Sequence, residues 1–186
     1  MNATKHIAVL KRAVGAPLLL WPLRLRKETL PDDHLKTGDV LDILDTVYSK
    51  LNRHKEALPL WEESLSLYKR VLPKDHPKIG SCMRDLATIY SELEMYDKAE
   101  QLGKQSLAFF GKVAPENHAS IGRAINLLTR LYEYLGRHSE KLALLSQLLA
   151  LYKHVLPRGD PKIGALVNRI EELQSRLPGR VTVRNL

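Results

Sequence analysis

An internal repeat of 42 residues governs how this chain folds. The segment Leu30–His34, with the sequence Leu-Pro-Asp-Asp-His, has counterparts that begin at Leu72, Ala114 and Leu156, each 42 residues after the last. A period of this length is typical of arrays in which one supersecondary unit stacks on the next. Further positions recur in the same register: Gly38, Gly80, Gly122 and Gly164; Tyr48, Tyr90 and Tyr132; Leu51, Leu93, Leu135 and Leu177; and Tyr68, Phe110 and Tyr152.

Each repeat is predicted to form two helices joined by a short turn. In the second repeat, apolar residues at helical spacing predict a helix A over Pro77–Leu93, with Asp75 or His76 as its N-cap. A polar turn then leads to a helix B over Asp97–Val113. The proline of the recurring linker ends one helix B and begins the next helix A, because proline is tolerated in the first turn of a helix but not in its interior.

Helix B is apolar on two sides in every repeat, which is also a property of membrane or dimer-forming helices. In stacked helix pairs, however, helix B lies between its own helix A and the helix A of the next repeat. We therefore expect packing on both sides. The segment Pro161–Leu177 has one apolar stripe and is otherwise polar, which predicts a capping helix at the end of the array. The two apolar sides of helix B include Leu60 and Leu67, then Leu102 and Phe109, then Leu144 and Leu151.

Composition supports a helical domain held together by its core. Of 186 residues, 44% are hydrophobic and only 6% aromatic, which argues against an all-β sandwich. The single cysteine, Cys82, cannot form an internal disulfide or a thiolate zinc site, and we expect it to be a small packing residue. No run of eighteen apolar residues is present, so we expect no transmembrane helix.

The net charge of +8 is concentrated at the two ends of the chain. Residues 1–29 contain six basic residues and one acidic residue, and residues 156–186 contain six and three. Three interpretations of residues 1–29 remain open: a degenerate helix B of a preceding repeat, which we favour, a mitochondrial presequence over residues 1–27, or a secretory signal. We expect a cytoplasmic protein in the first case and a mitochondrial one in the second.

The pattern His76-Pro77-x-Ile79-Gly80, Leu86-Ala87-x-x-Tyr90, Tyr96-x-x-Ala99-Glu100 and Ser106-Leu107 resembles the 42-residue tetratricopeptide repeat of the kinesin light chain and nephrocystin type. The resemblance covers about residues 30–177. It implies an all-α, right-handed superhelical solenoid of antiparallel helix pairs, with about three and a half repeats and seven or eight helices.

Two departures from this repeat pattern bear on the fold. Asn52 and Glu94 replace the glycine between the two helices, which only Gly136 keeps. Lys141 replaces the small residue that is Ala57 and Ala99 in the earlier repeats, which leaves the tight crossing of the third helix pair an open point. No heptad coiled coil is found before the repeats in this sequence, and we therefore expect the chain not to be a kinesin light chain itself.

The predicted organisation has three parts. A basic segment spans residues 1–29 and a flexible tail spans residues 178–186. Between them, the repeat domain covers residues 30–177. It divides into repeats at 30–71, 72–113 and 114–155, followed by the capping helix at 156–177.

The predicted functional surface is a concave groove lined by the A helices. The resemblance implies that such a groove holds an extended peptide, with Asn126 and Asn168 bonding the peptide backbone and Arg84, Arg123 and Arg130 pairing with acidic side chains. The same residues on a plain solvated surface are the competing interpretation, because most charges on helices do nothing more. The predicted groove residues are Arg84, Thr88, Arg123, Asn126, Arg130, Asn168 and Glu172.

No catalytic, metal or cofactor site is predicted, because the nucleotide-binding, zinc-protease and hydrolase motifs are absent. The sequence therefore predicts a non-enzymatic interaction module that binds a short, partly acidic linear motif of another protein, as a monomer or weak homodimer, with no small-molecule substrate. The alternative is a structural or assembly subunit of a larger mitochondrial or ribonucleoprotein complex, anchored through its basic ends. Nucleic acid is expected as a partner only at those ends.

Overall fold

Six helices follow one another along the described part of the chain. The computed structural model describes residues 47–48 and 51–176, and residues 47–48 are themselves helical. No β-strand occurs among these residues, and the predicted all-α fold is confirmed. The helices are α1 (His54–Val71), α2 (Pro77–Glu92), α3 (Tyr96–Val113), α4 (His118–Tyr134), α5 (His138–Val155) and α6 (Pro161–Arg176).

The boundaries of α2 and α3 lie within one residue of the predicted ones. Helix α2 ends at Glu92 instead of Leu93, and α3 begins at Tyr96 instead of Asp97. The predictions for residues 1–29, for the first helix A and for residues 178–186 fall almost wholly outside the described residues. The division into repeat domains stays a prediction.

The recurring linker begins each of two A helices with a side-chain cap. His76 Nδ1 accepts a hydrogen bond from the backbone N–H of Lys78 at 3.2 Å, so His76 is the N-cap of α2. At α4 the cap is Asn117, whose Oδ1 accepts from the backbone N–H of Ser120 at 3.2 Å. These bonds satisfy backbone donors that have no partner inside the helix.

The turn after each helix A has one residue in the left-handed region. The φ angles are 57° at Asn52, 61° at Glu94 and 65° at Gly136, at positions 42 residues apart. The next residue closes the turn: the N–H of Met95 donates to the carbonyl oxygen of Tyr90 at 2.8 Å. This six-to-one bond is the helix-ending motif that normally places glycine at the left-handed position. The geometry is therefore retained even where glycine has been lost.

The described residues form two compact units, which divide between Leu102 and Gly103 inside α3. In the first unit α1 packs against α2, that is, helix B of one repeat against helix A of the next. Trp61 and Tyr68 are buried on α1, and Met83 and Leu86 are buried on α2. Cys82 is also buried, as predicted, and its Sγ lies 3.8 Å from the carbonyl oxygen of Trp61.

In the second unit α5 packs against both α4 and α6. This confirms for α5 that the two apolar sides of a helix B face two neighbouring helices. Of the predicted α6 stripe of Ile163, Val167, Ile170, Leu173 and Leu177, Ile170 and Leu173 are buried, Ile163 and Val167 are only partly buried, and Leu177 lies outside the described residues. Leu166, which the stripe did not include, is buried. Three side chains of the buried cluster belong to α6, and burying them at roughly 2 kcal/mol each favours the packing of α6 against α5. The buried cluster consists of Ile125, Leu145, Leu148, Leu166, Ile170 and Leu173.

Candidate functional site

The exposed face of α4 carries three of the predicted groove residues. Arg123, Asn126 and Arg130 are all exposed and follow one another at spacings of three and four residues, so they share one side of the helix. The Nε of Arg123 donates to the carbonyl oxygen of Ala119 at 3.2 Å, which holds the arginine along its own helix. The three side chains present two cations and an amide to solvent.

The buried side of α4 fixes the orientation of this face. Ala124, Leu128 and Leu131 are at most 1% exposed, so the helix cannot rotate without exposing them. The hydroxyl of Thr129, also buried, donates to the carbonyl oxygen of Asn126 at 2.9 Å. Gly103 of α3 lies against Leu128, where an added Cβ would be only 2.9 Å from Leu128 Cδ2. The packing around α4 is therefore close.

Helix α6 carries the last two predicted groove residues, Asn168 and Glu172. Both are exposed, one helical turn apart. Glu172 accepts a hydrogen bond from Arg176 in the same helix, at 2.5 Å. Asn168 occupies the same register position as Asn126, one repeat later. The second unit thus contains Arg123, Asn126, Arg130, Asn168 and Glu172.

The remaining predicted groove residues, Arg84 and Thr88, lie on α2 in the first unit, and both already have partners in their own helix. Arg84 forms a forked ion pair with Asp85, with nitrogen–oxygen distances of 2.8 to 3.0 Å. The side chain of Arg84 is only 15% exposed. The Thr88 hydroxyl donates to the carbonyl oxygen of Arg84 at 3.1 Å. A ligand could reach Arg84 and Thr88 only if these contacts within α2 were exchanged.

The structure also contains a charged cleft in which only Glu172 was selected from the sequence. Lys141, which the sequence marked as a departure from the repeat pattern, is buried in this cleft and pairs with Glu133. Arg169 and Arg176 line it as well. The Lys141 substitution was the available signal, but the repeat pattern alone does not show which arginines of the next helix surround it.

The described residues contain neither a metal-ligand cluster nor a helix that could cross a membrane. Among these residues, no three His, Cys, Asp or Glu side chains lie together in a way that could hold a metal ion. His118 and His154 come close, with ring centroids 6.2 Å apart, but two histidines are too few for a zinc site of the usual kind. None of the helices found in residues 51–176 is long and apolar enough to cross a membrane.

Comparison with known families and structures decides the identity of the repeats. The sequence profile described as "Tetratricopeptide repeat" matches residues 46–112. Residues 46–112 therefore match the tetratricopeptide repeat pattern. No curated protein has a significant sequence match to it. The tetratricopeptide fold extends well beyond the matched segment, as solved structures show.

Three solved structures are similar to this chain over most of its length. Two of them are structures of a Podosopora anserina protein that is described as a kinesin light chain with nearly identical TPR-like repeats. A variant of that protein superimposes with a TM-score of 0.73 and 19% identity, over 92% of this chain and 88% of that one. A second structure of the Podosopora anserina protein gives 0.72 and 19%, over 98% and 91%. BtubC (BKLC) from P. vanneervenii gives 0.67 and 19%, over 98% and 85%.

The sequence match supports the predicted tetratricopeptide repeat in residues 46–112, and the solved structures show that the chain shares the fold of kinesin light chain-like repeat proteins. The tetratricopeptide repeat fold is a scaffold for protein–protein interaction. Protein partners are therefore the general expectation for this chain.

Proposed function

We propose that this tetratricopeptide repeat protein is a non-enzymatic interaction module that binds a short, partly acidic peptide segment of another protein. The binding surface is the exposed face of α4, formed by Arg123, Asn126 and Arg130, and it continues on α6 through Asn168. We call this set the α4–α6 face. Its occupant is an extended segment, because the face presents side chains along helices and not an enclosed pocket.

The observation that carries the proposal is the presence of two exposed arginines and an exposed asparagine on one side of a helix whose other side is buried. An arginine fork pairs with carboxylates in two parallel hydrogen bonds. The asparagine amide offers both a donor and an acceptor to a peptide backbone. A rigid helix lowers the cost of ordering these side chains on binding. Together they favour an extended peptide with acidic side chains.

The other predicted groove residues have smaller roles. Arg84 and Thr88 form hydrogen bonds within α2. These bonds would have to break before either side chain could bind a ligand. Glu172 is acidic and pairs with Arg176, so it would repel an acidic segment rather than bind it. The central residues of the proposal are therefore Arg123, Asn126 and Arg130.

The test is affinity capture followed by mass spectrometry, with the intact chain compared to the double variant Arg123→Glu/Arg130→Glu. We expect a specific set of proteins to be lost from the variant, because each substitution replaces an attraction to acidic side chains by a repulsion. The segments shared by the lost proteins then supply the peptide motif.

The matched control is Arg158→Glu/Lys162→Glu, which makes the same change in charge at exposed positions outside the α4–α6 face. Both variants should first be shown to have the melting temperature of the unmodified chain. Loss of the same proteins from both variants would indicate a general effect of charge, and an unchanged set in the first variant would count against the α4–α6 face.

The alternative function, an assembly subunit anchored through basic ends, concerns residues 1–29 and 178–186. These lie outside the described residues, and no contact in residues 51–176 favours that alternative. It remains a prediction that is distinguished by salt: binding through basic tails to RNA falls steeply as salt rises and is lost when the tails are removed.

A further inference from the structure

A buried lysine distinguishes the third repeat from the two before it. Lys141 lies one helical turn into α5 and is 5% exposed. The residues at the same register position are Ala57 and Ala99, both fully buried. A lysine is rarely buried unless it is paired, because removing its charge from water is costly. The third repeat therefore bears the desolvation cost of a buried charge at a position where alanine packs without that cost.

Around the amine of Lys141 the structure has a cleft of about 300 Å³. Three helices of the second unit contribute to it: the end of α4, the start of α5 and the second half of α6. We call it the Lys141 pocket. Its lining residues are Glu133, His138, Lys141, Arg169, Glu172, Leu173 and Arg176.

Positive charge exceeds negative charge in the Lys141 pocket. Lys141 pairs with Glu133, and Arg176 pairs with Glu172. The third cation, Arg169, makes no ion pair within residues 51–176 and adds an uncompensated charge to the pocket. Its lining thus holds three fixed cations against two carboxylates.

Two further features increase the attraction for an anion. Burial, followed by the repulsion from Arg169 and Arg176, lowers the pKa of Lys141, and the two arginines thus make the electrostatic potential at its amine more positive. The pocket also borders the first turn of α5, whose N-cap residue Arg137 forms no side-chain cap bond. Uncapped backbone N–H groups at a helix start favour negative charge nearby.

We propose that the Lys141 pocket binds a carboxylate group, that of an acidic side chain in the partner segment. The proposal rests on the proposed function, since it gives the acidic segment a specific anchoring point. A carboxylate accepts hydrogen bonds from Arg169 in a forked geometry and from Lys141 as a compact charge. The first two repeats cannot provide this anchor at the equivalent position, because alanine offers no amine there.

The experiment uses the full chain and a defined probe, the blocked tetrapeptide acetyl-Glu-Glu-Glu-Glu-amide, at low salt. Binding is measured by calorimetry, and the Arg169 Nε–H resonance is followed by NMR. The two pocket variants are Arg169→Gln and Lys141→Ala. The second restores the alanine of the other repeats, and it leaves Glu133, which is 49% exposed, in contact with water, so the fold should be retained.

The expected result is roughly tenfold or weaker tetrapeptide binding in each pocket variant, since each loses a charge-assisted hydrogen bond. The Arg169 resonance should shift in the unmodified chain and shift less in Lys141→Ala at the same tetrapeptide concentration. The matched control is Arg158→Gln, an exposed arginine outside the pocket, which should bind within about twofold of the unmodified chain because a distant exposed charge is strongly screened.

Three results would overturn the proposal. They are failure of the unmodified chain to bind the tetrapeptide, an equal loss in Arg158→Gln, and tighter binding of inorganic phosphate than of the tetrapeptide at Arg169. The last would assign the pocket to phosphate instead of carboxylate. The capture test with Arg123→Glu/Arg130→Glu is separate, so the pocket can fail while the α4–α6 face stands, and the reverse.

Discussion

Arg137 contacts Tyr132 through both its side chain and its backbone. The guanidinium carbon lies 4.6 Å from the centroid of the tyrosine ring, and the Arg137 N–H donates to the Tyr132 carbonyl oxygen at 2.9 Å. Arg53 and Tyr48, two repeats earlier, have the same relationship at 5.0 Å and 2.9 Å. The recurring tyrosine is therefore a packing residue that also supports the turn after helix A, in accordance with its spacing in the sequence.

Replacing Arg137 by methionine should reduce stability. Arg137→Met introduces the residue found at the equivalent position 95, keeps the bulk of the side chain and removes both the cation over the ring and the ion pair with Glu140 at 2.8 Å. We expect a loss of about 1 kcal/mol in the free energy of unfolding, measured with urea. Arg158→Met, which changes an exposed arginine outside the turn, should cost much less. Equal losses would show that the contact with Tyr132 contributes nothing.

Glu94 lies at the left-handed position that glycine occupies in the third repeat. A side chain at a φ of 61° is strained, because its Cβ approaches the backbone too closely. Glu94→Gly should therefore raise the free energy of unfolding by about 1 kcal/mol, after the greater flexibility of glycine in the unfolded chain is subtracted. Thermal or urea unfolding measures this directly.

The control for that prediction is Glu92→Gly, two residues earlier. Glu92 is exposed and lies in the last turn of α2, where glycine has lower helix propensity. This variant should lose up to about 1 kcal/mol. A gain at position 92, or a loss at position 94, would contradict the account of the turn.

Tyr90 should make stability depend on alkaline pH. Its hydroxyl donates to Glu62 Oε1 at 2.6 Å, and burial, followed by this bond, raises the pKa of Tyr90 to about 12. The unfolded value is about 10. Because the folded state favours the protonated phenol, its stabilising contribution is complete below pH 10 and is lost as the pH rises from about 10 to about 12.

Comparison with Tyr90→Phe isolates this contribution from that of the other tyrosines. At pH 7 the variant should be less stable by about 1 kcal/mol, through loss of the bond to Glu62. Between about pH 10 and pH 12 the difference between the two proteins should shrink. Urea unfolding at several pH values measures it, and a difference that stays constant or grows would contradict the pKa assignment.

Much of this fold was accessible from the sequence, because the repeat multiplies each weak local signal. Proline, the capping residue and the left-handed turn position recur in one register, so helices α2 and α3 were located to within a residue. The exposure of Arg123 and Asn126 followed from the same register, since the buried residues of α4 fix which side faces the solvent.

The parts that could not be predicted depend on contacts between neighbouring side chains. The pairing of Arg84 with Asp85 is a choice of rotamer, and periodicity does not determine it. The burial of Lys141 was unexpected because the repeat pattern places alanine there and gives no partner for an amine. The residues that surround it come from α4, α5 and α6, and their arrangement is evident only in the packed structure.

The most direct test of the central claim is the affinity of a captured partner segment for the Arg130→Glu variant. The account predicts binding weaker by roughly 1–3 kcal/mol, or about 5- to 150-fold in dissociation constant, with Arg158→Glu binding like the unmodified chain. Unchanged affinity in Arg130→Glu, with the fold intact, would contradict the assignment of the exposed side of α4 as the peptide-binding surface.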